Sequence, residues 1–153
     1  MSEGNVQEVK PQGLNIVWGD DRRYWQRSDE KAELLQVCWL EVTGSEKVTP
    51  GNRYKISFEV SLENNAFGWS GCPVSVMAKI GKKGRYSWKR VKPLDQFSAA
   101  TGHFLIPDDE FVMQVPPNGN VAQEELYFGL YEIWSGKWKG GLTIHKVIIT
   151  QVQ

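Results

Sequence analysis

From residue 53 to residue 62 the side chains alternate without a break, with Tyr54, Ile56, Phe58, Val60 and Leu62 on one face and Lys55, Ser57, Glu59 and Ser61 on the other. A period of two marks an extended strand that turns one face to an apolar interior and the other to water. Shorter stretches of the same kind recur at 14–18, 35–43, 74–80, 85–91, 103–106, 110–115, 124–133 and 142–152. In 35–43, Cys38, Leu40 and Val42 share one face. Turn chemistry separates the stretches: Gly19-Asp20-Asp21, Pro50-Gly51-Asn52, Gly81 to Gly84, Pro107, and Pro116-Pro117-Asn118-Gly119-Asn120. Eight or nine short strands of this kind predict an all-β fold, an antiparallel β-sandwich that buries its two apolar faces against each other. The single helical candidate is 28–36, where Ser28 stands at a capping position but Lys31 replaces the Glu or Gln of a capping box. At most one short helix of one or two turns is expected there. Residues 1–12 read as a flexible N-terminal arm, and 13–153 as one β-sandwich domain.

Charge and motif content remove several function classes. Eighteen Lys plus Arg balance eighteen Asp plus Glu, whereas a dedicated nucleic-acid binder is usually basic overall. No apolar run reaches the length of a membrane span, and residues 1–10 carry no apolar signal core, so a cytoplasmic or nucleocytoplasmic location is expected. Phosphate loops, dinucleotide fingerprints and nucleophile elbows are all missing from the sequence. Its two His, at 103 and 145, form no metal-ligand spacing, so no catalytic residue, metal or cofactor is expected. Cys38 is expected in the core. Cys72, in Ser70-Gly71-Cys72-Pro73, is expected in an exposed turn from which it could bridge to a neighbouring molecule.

Two local features stand out. Residues 79–92 hold seven cations and no acid, with Tyr86 and Trp88 interleaved. Lys82, Lys83, Arg85, Lys89 and Arg90 therefore form a patch that is either a solvated hairpin or a contact for RNA or nuclear import. The second feature is tryptophan: seven in 153 residues. Trp18 and Trp25 flank a charged turn, and Trp138 lies in a Gly-rich loop between Lys137 and Lys139. Such rings either pack inward or present a flat face to a ligand. A pyranose has an apolar C–H face for an indole and hydroxyls that donate to carboxylates such as Asp20, Glu125 and Glu132. Glu132 has a second reading, as the ion-pair partner of Lys137 or Lys139.

The string 14–25, then Ala32-Glu33-Leu34-Leu35-Gln36-Val37-Cys38-Trp39-Leu40-Glu41-Val42, resembles the opening of the phloem protein 2 superfamily of plant lectins. Leu130-Tyr131-Glu132 followed by Trp138-Lys139-Gly140-Gly141-Leu142 is similar to its closing motif, and 54–62 and 68–74 fit the pattern between. The resemblance runs over 14–150 and is most like the short cucurbit members. It implies a jelly-roll sandwich and a non-catalytic homodimeric lectin for GlcNAc oligomers (chito-oligosaccharides) and N-glycan cores. Phloem sap and the nucleocytoplasmic space are the implied locations, with a Lys-rich import signal near 79–92. On matching motifs the sugar-binding residues are Trp18, Trp25, Glu125 and Glu132. Chemistry of the two Trp-rich segments adds Asp20 as a further acceptor and Trp138 and Lys139 as the expected far wall. The alternative reading is a phloem protein that binds RNA or forms filaments.

Overall fold

The computed structural model describes residues 6–97 and 102–153. Twelve strands follow in chain order: β1 (Val6–Val9), β2 (Asn15–Ile16), β3 (Trp25–Arg27), β4 (Ala32–Leu34), β5 (Leu40–Val48), β6 (Arg53–Phe67), β7 (Val74–Ile80), β8 (Ser87–Val91), β9 (His103–Ile106), β10 (Val112–Gln114), β11 (Glu124–Glu132) and β12 (Gly140–Val152). Two short 3-10 turns, Pro11–Gly13 and Leu94–Gln96, are the helical segments among the described residues.

All pairing is antiparallel, in two sheets. In the first, β6 and β12 form the spine. β10 and β9 lie end to end along the outer edge of β6, while β1 and β4 lie along the outer edge of β12, with β3 beyond β4. The second runs β2-β5-β11-β7-β8. The alternation that predicted these strands sets what each sheet buries. Tyr54, Ile56, Phe58 and Val60 of β6 and Leu126, Phe128 and Leu130 of β11 are all sealed inside. Phe58 and Phe128 meet edge-on between the sheets, ring centroids 6.1 Å apart. On β12 the inward positions run Leu142, Ile144, then Val147, Ile149, because a register shift between Ile144 and Lys146 moves the phase by one residue. Each large side chain of this kind contributes about 1.5–3 kcal/mol by leaving water.

The structure departs from the sequence expectations in several places. The strand expected at 35–43 begins at Leu40 and runs on to Val48, and the one expected at 14–18 is cut to Asn15–Ile16 by the turn that follows. Residues 28–36 form no helix. Ser28 Oγ accepts from the backbone N–H groups of Glu30 and Lys31, at 3.3 Å each, closing a turn. The chain then extends into β4, whose Ala32 and Leu34 are buried at the two-residue spacing of a strand. Residues 6–9, expected within a flexible arm, pair with β12 from Val6↔Thr150 to Val9↔Val147. Residues 1–5 of that arm lie outside the described residues. Cys72 is buried rather than exposed, and Cys38 is half-buried, outside the regular strands.

Candidate functional site

Two loops at one end of the sandwich carry most of the residues singled out above. The first leaves β2 and folds into consecutive turns. The N–H of Gly19 donates to Ile16 O (2.9 Å), that of Asp21 to Trp18 O (3.1 Å), and those of Tyr24 and Trp25 to Asp21 O (2.9 and 3.0 Å). Gly19 is required here, because a Cβ would sit 2.8 Å from Ile16 Cβ. Trp18 sits at φ +63°, the one left-handed non-glycine residue among those described, and this conformation turns its ring outward. Asp21 and Arg23 lock the turn with a two-pronged pair (2.7 and 3.1 Å). The hydrogen bonds from Arg23 hold the Asp21 carboxyl down to about 2. Arg27 donates to Pro11 O and Leu14 O (3.0 and 3.1 Å), tying the turn to the segment before it.

The second loop joins β11 to β12. Positions of β11 alternate, so Glu125, Tyr127 and Tyr131 face outward while Glu132 shares the inward phase of Leu126, Phe128 and Leu130. Glu132 is 2% exposed and meets Lys139, which is fully buried, at 2.8 Å. Ser135 donates to the same carboxylate through Oγ (2.7 Å) and backbone N–H (3.2 Å), and Lys139 Nζ also donates to Lys137 O (2.7 Å). Burial opposes ionisation of Glu132, but the hydrogen bonds from Lys139 and Ser135 outweigh it and hold its pKa below the ordinary value. The pair is thus a clasp inside the loop. Lys137 reaches instead to Ser70 O (3.0 Å).

Glycines let the returning chain pass close by. A Cβ on Gly68, at φ +87°, would fall 2.2 Å from Trp138 O, and one on Gly140 would fall 2.0 Å from Leu35 O. Trp69, buried, donates from Nε1 to Gly140 O (2.9 Å), and Val37 and Lys139 exchange backbone hydrogen bonds at 2.9 Å. The Trp-Lys-Gly-Gly-Leu motif is therefore a tight crossing, pinned on three sides.

The crossing brings Trp138 beside the first loop. Trp18 packs on Tyr24 with ring centroids 5.2 Å apart, and Tyr24 on Trp138 at 6.4 Å. Trp18 and Trp138 are each about half exposed, at 46% and 49%, so three rings form a terrace open to solvent. Asp20, whose side chain is fully exposed, stands beside it. With Ile16, Trp18, Asp21 and Arg22 it lines a shallow groove.

Of the seven expected site residues, the structure gathers Trp18, Asp20 and Trp138 at this surface. Trp25 is 2% exposed and presents no stacking face, because its position in β3 opposite Leu34 turns the indole into the core. Its Nε1–H has no partner among the described residues. Lys139 is no wall residue, since its ammonium is spent on Glu132. Glu125 lies at the far end of β11, roughly 20 Å along the strand from Glu132. It faces out and pairs with Lys47 at 2.7 Å. The hydrogen bonds from Lys47 and Ser45 hold its pKa below the ordinary value. Tyr24, the middle ring, was not singled out from sequence, although it lies in the quoted string between Arg23 and Trp25.

The remaining expectations fare unevenly. In the basic patch, Lys89 pairs with Asp109 at 2.7 Å, while Lys82, Lys83, Arg85 and Arg90 have no acidic partner among the described residues. Cys72 sits under the loop with Sγ 3.5 Å from Ser135 Oγ, and burial pushes its thiol pKa up. It cannot reach a neighbouring molecule in this fold, which removes the expected bridge through it. Among the described residues no group of three His, Cys, Asp or Glu is placed to hold a metal, and no helix is long and apolar enough to cross a membrane.

The family described as Phloem protein 2 matches residues 6–151. Protein PHLOEM PROTEIN 2-LIKE A9 of Arabidopsis thaliana is 44% identical, covering 94% of this chain and 86% of its own length. A protein of Luffa acutangula named "Lectin" is 33% identical over 72% of this chain and 60% of its own length. Among solved structures, isomalto-dextranase of Arthrobacter globiformis T6, complexed with panose, aligns with a TM-score of 0.50 at 10% identity. The match covers 94% of this chain and 23% of that one, and it bears on the fold alone.

Proposed function

Because the chain belongs to the phloem protein 2 family, we propose that it is a non-catalytic lectin for GlcNAc oligomers and N-glycan cores, binding at the Trp18–Tyr24–Trp138 terrace. The observation that carries this reading is the terrace itself: three rings in series, two of them half exposed, with the exposed carboxylate of Asp20, 3.6 Å from the Arg27 guanidinium, at the rim. A chain of β-linked sugars offers successive apolar C–H faces to successive rings, and its hydroxyl and amide hydrogens to the acid. The likeness to a protein named as a lectin supports the same class of ligand.

The residues then divide by role. Trp18 and Trp138 stack on the sugar, and Tyr24 bridges them. Glu132 and Lys139 act beneath the surface by holding the loop that carries Trp138. Trp25 supports the first loop from the core. A shallow surface of this kind binds one sugar weakly after the entropic cost of association, so affinity rises with oligomer length and with the bivalency of a homodimer.

Titration calorimetry against GlcNAc, chitobiose and chitotriose tests the reading. Affinity is expected to climb along the series and to fall at least about tenfold in Trp138→Ala, the loss expected for removing one stacked ring. Folded protein that gives no heat with chitotriose refutes the proposal.

A further inference from the structure

A second set of exposed rings lies on the outer face of the β2-β5-β11-β7-β8 sheet, apart from the terrace. Tyr86 and Trp88, before and on β8, stack with centroids 6.1 Å apart. Trp88 meets Tyr131 of β11 edge-on at 5.3 Å and Trp134 of the following loop at 6.0 Å. Tyr86, Trp88 and Trp134 are 56%, 49% and 61% exposed. Two small residues make room among them. Gly129 has no side chain, and a Cβ there would fall 2.6 Å from Tyr131 Cε1, so the Tyr131 ring leans across it. Ser75 lies between Arg90 and Tyr131 in the ladder.

Where this face meets the β11–β12 loop there is a cavity of about 450 Å³, lined by Ser75, Arg90, Trp134, Ser135, Cys72 and Glu132 among others. Its chemistry is mixed: an indole wall, two hydroxyls and one guanidinium. The Glu132 carboxylate is neutralised by Lys139 at 2.8 Å. Arg90 has no acidic partner among the described residues, so the cavity carries a positive charge with no counter-ion of its own. A planar guanidinium fork matches a carboxylate with two parallel hydrogen bonds, and an indole matches a pyranose face.

We infer that this cavity is a second saccharide site, taking a uronate-bearing oligosaccharide whose ring stacks on Trp134 and whose carboxylate pairs with Arg90. Ser75, Arg90 and Gly129 lie among the rings together with Met77, which is 4% exposed and stands opposite Trp88 in the ladder, and the hydroxyls and guanidinium at the cavity fit a sugar better than an apolar protein partner.

The test uses the full chain, titrated with tri-galacturonate, with chitotriose, and with single-stranded poly(U). Tri-galacturonate is expected to bind and to weaken as salt rises. Arg90→Gln should reduce its affinity at least about tenfold, the scale of a lost bidentate charged pair. Chitotriose binding should be unchanged in that variant, since β8 is outside the terrace. Trp134→Ala should reduce tri-galacturonate binding by a similar factor. Thermal unfolding of each variant separates loss of the site from loss of the fold. The inference falls if folded protein ignores tri-galacturonate, or if Arg90→Gln binds it as well as the parent chain does. It also falls if poly(U) binds through Arg90 and Trp134 while tri-galacturonate does not, for the face then serves nucleic acid.

Discussion

Trp18 combines an exposed ring with a left-handed backbone, and the two have separable consequences. The conformation at φ +63° costs about 1–3 kcal/mol for a residue with a Cβ and nothing for glycine. Trp18→Gly should therefore lose chitotriose binding in calorimetry while its thermal midpoint stays within about 4 °C of the parent, the shift worth roughly 1 kcal/mol in a domain of this size. A large fall in that midpoint would instead make Trp18 a packing residue. Sequence alone could not divide the labour between Trp18 and Trp25, since both flank the same charged turn. What decides is the backbone: Trp25 has already entered a strand and inherits an inward phase, and Trp18 has not. Glu132 was more legible. Its parity with Leu126, Phe128 and Leu130 marks it as inward, and an inward carboxylate needs a cation, which Lys139 provides. His145 also ties stability to pH. Burial, and then His103 stacked 3.7 Å away, hold its pKa below 6.5, so the unfolded chain takes up the proton first. Stability should be intact above about pH 6.5 and fall as pH drops through and below it, and His145→Gln should flatten that slope in urea midpoints measured between about pH 7 and 5.

Most of the long strands were readable because each contains several periods of its own burial pattern, whereas β5 begins five residues after the start of the stretch expected at 35–43. β7 and β9 end where the alternation ends, and β6 runs five residues past it. β1, β3 and β4 have three or four residues each; β1 and β4 exist because β12 offers them an edge, and β3 because β4 does. That tertiary pairing also overrode the local signal at 28–36, where charge and a Ser cap imitate a helix start. At this scale the β11–β12 loop makes the sharpest prediction. Lys139→Met strands a buried carboxylate and should cost about 3–5 kcal/mol in urea unfolding. Adding Glu132→Leu should restore most of that loss, because two apolar groups replace a satisfied pair. Chitotriose affinity should stay low in the double variant, since nothing then clasps the loop behind Trp138. Glu132 also links the loop to acidity. With its pKa held below 4.5, its stabilisation is present above that pH and is lost as pH falls through the depressed value.

Over the whole molecule, two sheets enclose one continuous core, and the two proposed binding surfaces lie outside it on loops and on one sheet face. Substitutions should sort accordingly. Phe58→Ala should cost about 3–5 kcal/mol, and Phe58→Asp should yield no soluble protein, because the Phe58–Phe128 contact joins the sheets at their centre. A monodisperse Phe58→Asp protein would overturn this account of the core. The pairing of β1 with β12 has one further consequence. Val6 faces Thr150 in antiparallel register, so a short Gly-Ser turn from the end of β12 to the start of β1 would make an ordinary hairpin. New ends cut at Gly119, in an exposed turn with open space around it, would complete a circular permutant with every ladder intact. The most distant pairing in the chain would then be local, and the rearranged protein should refold faster than the parent.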